Sequence, residues 1–276
     1  METLAVIKIG GNIIDDPGKL DLFLSEFAAL EGRKILVHGG GKMATQLAEK
    51  LGIRQTMIDG RRITDEETLK VVTMVYAGLI NKNLVAQLQA KGCNAMGLSG
   101  ADGNSILAHK RGAPGSAPHE ERQAAGIDRT VDYGFAGDVD RVNGKFLAGL
   151  LEQDKALVFA PITHDGKGQL LNTNADTVAS EIAKALGAAF GVSLVYTFEK
   201  SGVLMNADDD ATVIHRINPG TYKELRDRQI IFSGMIPKME TAFAALDAGV
   251  RKVIIGKAED LHELLSGHSG TTIVRH

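Results

Sequence analysis

The residues best suited to chemistry in this chain are glycines and lysines that follow predicted strands. The turn Gly39-Gly40-Gly41 comes directly after the apolar run Lys34-Ile-Leu-Val-His38 and opens a helix-like pattern. Glycines in such a turn let backbone N–H groups approach a ligand closely, and the following helix directs the positive end of its dipole at the same place. This arrangement predicts the binding of an anion.

Two lysines occupy positions where a cation needs a negative partner. Lys8 lies near the carboxyl end of the apolar run 4–9 and is followed by Gly10-Gly11. A lysine in a buried strand is costly unless it faces an anion, although an edge strand also uses lysine. Lys238 follows Pro237 in the first turn of a predicted helix, where the helix dipole repels a cation, although a solvated side chain would also be tolerated there. The glycine pair after Lys8 favours a phosphate as the ligand.

Further along the chain, polar side chains recur in two short stretches. Asn172, Asn174 and Asp176 alternate, so they point to one side of an extended segment, at the start of a predicted helix over 177–187. Helix capping accounts for one of the three, because Asn and Asp are preferred N-cap residues. The exposed turn Asp59-Gly60-Arg61-Arg62 supplies two guanidinium groups that suit a carboxylate.

Composition excludes several classes of protein. With 276 residues, of which 44% are hydrophobic, the chain can bury a full core. A net charge of -3 and few aromatic residues (9 Phe, 4 Tyr, no Trp) argue against a nucleic-acid surface. No apolar run is long enough to span a membrane, and the N-terminus runs straight into a strand without a basic segment. We therefore expect a cytoplasmic protein with small-molecule substrates and with neither nucleic acid nor membrane as a partner.

The elements that carry these residues alternate between strands and helices, which predicts an α/β fold. The predicted strands are 4–9, 34–38, 94–98, 156–160, 192–198, 230–232 and 252–255. The predicted helices are 20–30, 43–51, 66–91, 146–151, 177–187 and 237–248. Residues 105–145 contain short strand candidates and no convincing helix. We expect a single domain over 1–276, with a boundary between two lobes at about residues 171–176.

Five motifs in order resemble those of the amino acid kinase family, and within it the kinases that act on N-acyl-glutamates. They are Lys8-Ile-Gly-Gly11, His38-Gly-Gly-Gly41, Gly60-Arg-Arg62, Asn172-Thr-Asn-Ala-Asp176 and Gly234-Met-Ile-Pro-Lys238. The resemblance covers essentially the whole chain. It implies an open, mostly parallel sheet sandwiched between helices, with an acceptor-binding lobe at about 1–171 and a nucleotide-binding lobe at about 172–276. The implied activity is transfer of the ATP γ-phosphoryl group to the side-chain carboxylate of N-acetyl-L-glutamate, giving an acyl phosphate for arginine and ornithine biosynthesis.

The same resemblance assigns roles to individual residues. The catalytic residues it implies are Lys8 and Lys238, at the transferring phosphoryl group, and Asp176, which holds both lysines. The substrate-binding residues it implies are Gly40, Gly41, Arg62, Asn172 and Asn174. The cofactor-binding residues it implies are Gly10, Gly11, Glu199, Lys200, Ser201, Gly202, Ser233 and Gly234. ATP is expected with Mg²⁺ held through the nucleotide, no metal site of the chain's own is expected, and His38 is predicted to be a hydrogen-bonded packing residue.

Physical chemistry supports these roles. A carboxylate acceptor is already ionised at neutral pH, so no general base is needed. Bringing it to about 4 Å from a γ-phosphate costs about 4 kcal/mol per charge pair at an effective dielectric constant of 20. Two lysines and converging N–H groups offset that repulsion, and Asp176 is then an organiser of the lysines.

Three alternatives remain open from the sequence. The same reaction on N-succinyl-L-glutamate would be favoured by a basic residue in the acyl pocket, such as Lys110, Arg111 or Arg129. An NAD-dependent oxidoreductase would use Gly39-x-Gly41-x-x-Ala44 with Asp59, but it leaves the two lysines and Asp176 without a role. A nucleotide-binding sensor without catalysis would not need those lysines either.

The long predicted helix over 66–91 has an apolar face that suits a two-fold contact between two copies of the chain. We therefore expect a homodimer. The resemblance also implies no feedback inhibition by arginine, because the chain starts almost at its first strand and lacks the N-terminal helical extension that arginine-inhibited members of the family share.

Overall fold

The computed structural model describes residues 1–58, 61–112, 131–206, 208–231 and 235–276. Its strands are β1 (Thr3–Ile9), β2 (Arg33–His38), β3 (Met57–Ile58), β4 (Arg61–Arg62), β5 (Ala95–Leu98), β6 (Ile106–Lys110), β7 (Ala136–Val142), β8 (Ala156–Phe159), β9 (Ile162–His164), β10 (Leu170–Thr173), β11 (Gly191–Phe198), β12 (Arg216–Ile217), β13 (Lys252–Lys257) and β14 (Thr271–Ile273). Its α-helices are α1 (Gly11–Ile14), α2 (Pro17–Ala29), α3 (Gly41–Lys50), α4 (Glu66–Thr73), α5 (Asn81–Ala90), α6 (Gly144–Leu151), α7 (Ala175–Leu186), α8 (Pro219–Asp227), α9 (Met235–Asp247) and α10 (Leu261–Ser266). A π-helical segment, Met74–Ile80, joins α4 to α5.

The main sheet has the strand order β12-β14-β13-β11-β1-β2-β8-β5. Its strands from β13 to β5 run parallel, and β14 pairs antiparallel with β13. The predicted α/β fold with a mostly parallel sheet is therefore confirmed. Ligands of such sheets bind beyond the carboxyl ends of the strands, which here lie along one edge.

Helices cover both faces of this sheet, and strand alternation decides which side chains each face receives. Leu4 and Val6 of β1 pack in one core with α7, whereas Ile7 and Ile9 pack in the other with Phe23 and Phe27 of α2. Each of these phenylalanines is fully buried, which contributes about 1.5–3 kcal/mol. Lys8 follows the alternation of Leu4 and Val6, so it faces α7.

The middle region forms a small closed sheet in the order β10-β7-β6-β9. β6 and β7 pair antiparallel, as the short strand candidates in this region predicted. β7 and β10 pair parallel, with Asn172 opposite Ala136. Residues 113–130, which include Arg129, lie outside the described residues.

The predicted strand over 230–232 was wrong. Ile230 and Ile231 follow α8 and are not in a strand. Their N–H groups donate to the carbonyl of Leu225 within α8, and the Ile231 side chain is buried in the core. Phe232 lies outside the described residues. Helix α8 was not among the predicted helices, although Asn218-Pro219 gives the usual start of a helix, with Asn218 in a capping box and proline at the first position.

The predicted long helix is present as α4, the π-helical segment and α5 in succession. Asp65 caps it by accepting a hydrogen bond from the Thr68 N–H at 2.8 Å. A π-helix has more residues per turn than an α-helix, so the segment changes which side chains of α5 face the core. Such segments often lie at functional sites. None of the helices in the described part of the chain combines the length and hydropathy needed to cross a membrane.

The proposed division into two lobes near residue 172 stays a prediction, since β1 and β2 share the main sheet with β11 and β13.

Candidate active site

The central feature of the cleft is an ion pair between β1 and the first turn of α7. The Lys8 Nζ lies 2.8 Å from the Asp176 Oδ1. Lys238, in the first turn of α9, places its Nζ 4.0 Å from the centroid of the Phe198 ring, and the Lys8 Nζ lies 5.9 Å from the same centroid. The structure thus brings together the two predicted lysines and the predicted aspartate around one aromatic side chain.

The three charges influence one another. Burial lowers the pKa of the Lys238 ammonium, the Asp176 carboxylate opposes that shift, and the positive charge of Lys8 adds to it. The Asp176 carboxylate pairs directly with Lys8 and acts on Lys238 only at longer range, so the three groups together carry an excess positive charge. A phosphoryl group or carboxylate bound between them would relieve their repulsion.

Three cavities follow one another along the carboxyl edge of the sheet. The turn cavity has a volume of about 200 Å³ and is lined by Gly39, Gly40, Gly41, Met57, Arg61, Arg62, Tyr76, Ala136, Gly137, Pro161, Asn172, Thr173, Asn174 and Ala175. The junction cavity has about 150 Å³ and is lined by Arg61, Asn174, Asp176, Thr177, Tyr196, Phe198, Pro237, Lys238, Thr241 and Ile255. The strand-end cavity has about 390 Å³ and is lined by Gly10, Asn12, Ile13, Thr197, Phe198, Glu199, Lys200, Gly202, Val203, Met235, Lys238 and Ile255. The turn and junction cavities share Arg61 and Asn174, and the junction and strand-end cavities share Phe198, Lys238 and Ile255. The junction cavity, which Asp176 and Lys238 line, therefore lies between two larger spaces.

The glycine turn requires glycine for a geometric reason. Gly40 has a φ of 149°, and a Cβ there would lie 2.2 Å from the Ile80 Cδ1. Gly41 then opens α3, so the first N–H groups of that helix point towards the turn cavity.

Arg62 is buried beneath the same turn and is held by protein acceptors. Its Nη2 donates to the Gly41 carbonyl and to the Thr45 Oγ1, both at 2.9 Å, and its Nη1 donates to the Gln55 Oε1. Burial raises the pKa of the Tyr76 hydroxyl beside it, and the charge of Arg62 opposes that shift. Arg62 therefore shapes the turn cavity as well as lining it.

The two predicted asparagines differ in their bonding. Asn172 donates from Nδ2 to the Thr64 Oγ1 at 3.0 Å. Asn174 is the N-cap of α7, because its Oδ1 accepts from the Asp176 and Thr177 N–H groups at 2.8 and 3.2 Å. Capping thus accounts for Asn174, and its amide nitrogen remains beside both cavities.

The predicted cofactor-binding residues fall into three groups. Gly10, Glu199, Lys200 and Gly202 line the strand-end cavity. Asn12, which was not predicted from the sequence, also lines it and donates to the Glu199 Oε1. Gly11 and Ser201 do not line it; the Ser201 Oγ donates to the Asp210 Oδ2 at 3.1 Å. Ser233 and Gly234 lie outside the described residues.

Other residues of the cleft had weaker signals in the sequence. Tyr76 lines the turn cavity from the π-helical segment, where helical periodicity assigned it only to an apolar face. Phe198 is the last residue of β11, and the sequence indicated only that it belongs to a strand. Within the ranges that the structure describes, no three His, Cys, Asp or Glu side chains converge as metal ligands.

His38 supports the turn from below, as predicted for a packing residue. It is fully buried; its Nδ1 donates to the Gly39 carbonyl at 2.8 Å, and its Nε2 accepts from the Asn81 Nδ2 at 3.3 Å. Asn81 also donates to the Val158 carbonyl at 2.9 Å. A second proton on the ring would point at the Asn81 amide, so this network needs the neutral imidazole.

Burial lowers the pKa of His38 to about 4 from its usual 6.5. The unfolded chain therefore binds more protons between these values, and stability contributed by the neutral ring is complete above pH 6.5 and is lost as the pH falls towards 4. We expect the free energy of unfolding in urea to fall by about 2 kcal/mol between pH 7.5 and pH 5 through this residue. His38→Gln should flatten that part of the slope, whereas the exposed control His268→Gln should keep it; equal slopes in both variants would contradict the assignment.

Comparison with known proteins adds three findings. A model described as the amino acid kinase family matches residues 3–257. Proteins named acetylglutamate kinase from Cytophaga hutchinsonii and Phocaeicola vulgatus are each 53% identical to this chain; the first match covers 99% of both chains, and the second covers 99% of this chain and 98% of the other. A carbamate kinase from Giardia aligns with a TM-score of 0.69 at 13% identity, over 100% of this chain and 99% of that one, which is a likeness of fold.

Proposed function

The chain belongs to the amino acid kinase family, and on that basis we propose that it transfers the γ-phosphoryl group of ATP to the side-chain carboxylate of N-acetyl-L-glutamate, in arginine biosynthesis. The observation that carries the proposal is the ion pair of Lys8 with Asp176, an aspartate that lines the junction cavity together with Lys238. A dinucleotide-dependent oxidoreductase has no use for that group, and Asp59, on which that alternative depends, lies outside the described residues.

The reaction needs positioning and charge stabilisation. A carboxylate oxygen of the acceptor forms a bond to the γ-phosphorus, and the bond from that phosphorus to the β,γ-bridging oxygen breaks. ADP leaves with the bonding electron pair, and no proton is transferred. Lys8 and Lys238 would offset the charge that gathers on the transferring group, and Asp176 would keep the Lys8 ammonium aimed into the cleft.

The turn cavity suits the acceptor. Its N–H groups at Gly40 and Gly41 would receive a carboxylate at the start of α3, in a place where the helix dipole also favours a negative charge. Arg62, Asn172 and Asn174 would hold the remaining polar groups of the amino acid, the first as a fixed positive charge under the turn.

The strand-end cavity suits the nucleotide. Gly10 would offer its N–H group to the phosphates at the end of β1, while Glu199, Lys200 and Gly202 would border the nucleoside. We propose that Mg²⁺ enters with ATP through phosphate oxygens and water, as it commonly does in kinases. When bound, the ion neutralises part of the phosphate charge.

The experiment that tests this function is ATP-dependent acyl phosphate formation, trapped with hydroxylamine. We expect product with N-acetyl-L-glutamate and ATP, and about 10²- to 10³-fold less when Lys8→Ala replaces the natural protein. If neither N-acetyl-L-glutamate nor any other N-acyl-L-glutamate gives product, the assigned acceptor is wrong.

We also propose a cytoplasmic homodimer that contacts through the long helical stretch over 66–91. Met74 and Leu79 lie in its π-helical segment and are 54% and 51% exposed, so they would offer apolar surface to a second copy of the chain. Sedimentation velocity should give the mass of two chains, and a monomer at micromolar concentration would contradict the proposal.

A further inference from the structure

We infer that Phe198 is a positioning residue for phosphoryl transfer, and that the face of its ring holds the ammonium groups of Lys238 and Lys8 at the junction cavity. The inference rests on the proposed kinase function and names a residue that acts through the two lysines. The observation behind it is that their Nζ atoms lie 4.0 and 5.9 Å from the centroid of one aromatic ring. Both distances are within the range, about 6 Å, in which a ring face attracts a cation.

The pairing of β1 with β11 places Phe198 beside Lys8. Lys8 lies opposite Tyr196 in this parallel pair, so Phe198 is the next residue of β11 on the same face of the sheet. The Tyr196 ring packs beside the Phe198 ring, with their centroids 6.5 Å apart. The Tyr196 hydroxyl donates to the Asp176 carbonyl at 3.3 Å, which ties this part of β11 to the first turn of α7. The ring is therefore supported where the Lys8–Asp176 ion pair forms.

Lys238 reaches the same ring from α9. It lies in the first turn of that helix, where the helix dipole disfavours a cation. Asp176 attracts its ammonium and Lys8 repels it, but the direct ion pair of Asp176 is with Lys8. The face of the Phe198 ring thus gives Lys238 an attractive contact in addition to the longer-range pull of Asp176.

An aromatic ring can hold these cations without cancelling their charge. The ring has no net charge, and its quadrupole attracts an ammonium group to its face. A second carboxylate in the place of Phe198 would also attract Lys238, but it would repel the phosphoryl group and the carboxylate that react between the lysines. An ammonium group has three N–H donors, so contact with the ring on one side leaves donors for a ligand on the other. Phe198 therefore suits a site that must receive anions.

Phe198 also lines the strand-end cavity, so contact with the bound nucleotide is the competing role. The two roles predict different kinetics. A residue that only packs against ATP affects the KM for ATP. A residue that positions the lysines affects kcat, because the lysines act most strongly where charge gathers in the transition state.

The test varies the electrostatics of the ring while nearly preserving its shape. We would introduce 4-fluoro-, 3,4,5-trifluoro- and pentafluorophenylalanine at position 198 and measure hydroxylamine-trapped product from N-acetyl-L-glutamate and ATP. Fluorine withdraws electron density from the ring face, so kcat should fall stepwise in that order. Phe198→Leu should lower kcat by about 5- to 30-fold, the effect of losing one cation–π contact, while the KM for ATP stays within a factor of about two.

A second measurement needs no turnover and therefore tests the contact even if the assigned reaction is wrong. The ring favours the charged form of Lys238, so fluorination at position 198 should lower the pKa of that ammonium in the protein without substrates. Competitive acetylation over a range of pH, read by mass spectrometry, measures this pKa. The other ionisable groups that face this ammonium or line its cavities are the same in every variant: Lys8 of β1, Arg61 of β4, Asp176 of α7, Tyr196 of β11, and Glu199 and Lys200 after β11.

Phe190 is the matched control. Its ring centroid lies 5.7 Å from the guanidinium carbon of Arg33, and Phe190 lines none of the three cavities of the cleft. Pentafluorophenylalanine at position 190 should leave both kcat and the pKa of Lys238 unchanged.

Two results would overturn the inference while product formation by the natural protein upholds the proposed function. The first is an equal kcat for all rings at position 198 and for Phe198→Leu, with folding confirmed by melting temperature. The second is a rise in the KM for ATP at constant kcat, which would assign Phe198 to the nucleotide. If the natural protein phosphorylates no N-acyl-L-glutamate, the proposed function fails, and the pKa series decides on the ring by itself. An unchanged pKa of Lys238 would then overturn the inference as well.

Discussion

Lys8→Met and Lys238→Met should each lower kcat by about 10²- to 10³-fold, the usual cost of removing one preorganised donor from a developing charge. Methionine keeps an apolar stem of similar length beside Phe198 and removes the ammonium group. The KM for ATP should change much less than kcat, because the lysines act most strongly where charge gathers in the transition state. Steady-state kinetics with N-acetyl-L-glutamate measures both quantities.

A lysine on the same helix as Asp176 provides the matched control. Lys184 pairs with Glu181 at 2.7 Å on α7, and neither residue lines the cavities of the cleft. Lys184→Met should keep kcat within a factor of about two, as expected for loss of a surface ion pair. The double variant with Lys8→Met and Lys238→Met should lower kcat by less than the product of the two single fold-changes, since both side chains act on the same charge. A kcat unchanged in either single variant would remove that lysine from the mechanism.

Gly40→Ala should damage both stability and activity. The Cβ would lie 2.2 Å from the Ile80 Cδ1 and 3.1 Å from the Tyr76 Cδ1, at a φ of 149° that L-residues rarely adopt. Overpacking and backbone strain together should cost about 2 to 4 kcal/mol of unfolding free energy. A turn displaced by about 1 Å would also misplace the N–H groups that face the acceptor and lower kcat/KM by about 100-fold. Urea unfolding and the hydroxylamine assay measure the two effects.

Gly149→Ala is the control for that substitution. Gly149 lies within α6, and a Cβ there would meet no atom within 4 Å. Alanine at such a site should stabilise the protein by about 0.4 to 1 kcal/mol and leave kcat/KM unchanged. Trimming the neighbour by Ile80→Ala in the Gly40→Ala background should recover only the part of the loss that comes from the clash. A Gly40→Ala protein as stable and active as the natural one would contradict the geometric account of the turn.

The strand-to-helix organisation could be predicted because it depends on neighbours in the chain. The apolar run before Gly39, the turn itself and the helix after it are local patterns, and the structure places β2, the turn and α3 there. The same holds for Lys8 at the end of β1 and for Asp176 in the first turn of α7. The family resemblance could also be found from the sequence, because it depends on the five motifs and their order along the chain and not on their positions in three dimensions.

The strand over 230–232 shows where local reasoning fails. Ile230 and Ile231 are apolar and β-branched, which suits a strand, yet they pack below the end of α8. Burial satisfies an apolar side chain equally well in a sheet or beneath a helix, so composition could not distinguish the two.

Arg61 and Arg62 show the same limit at the site. Side chains of adjacent residues in a strand point to opposite sides, so the sequence predicts that Arg61 and Arg62 have different surroundings. It does not predict which of the two side chains is held by the protein. Packing placed Arg62 under the glycine turn with three protein acceptors and left Arg61 beside the cavity and Arg111. Likewise, Asn174 became a helix cap, whereas Asn172 bonded to Thr64.

The sequence by itself thus determined the residue types, their order and the local turns, because glycine, proline and apolar periodicity act over a few residues. The partners of each charge came from the order of strands in the sheet, which sets β1 beside β11 and turns Lys8 towards α7. That order is a property of the whole core, because each strand needs hydrogen-bonding neighbours at its edges and helices that bury both of its faces.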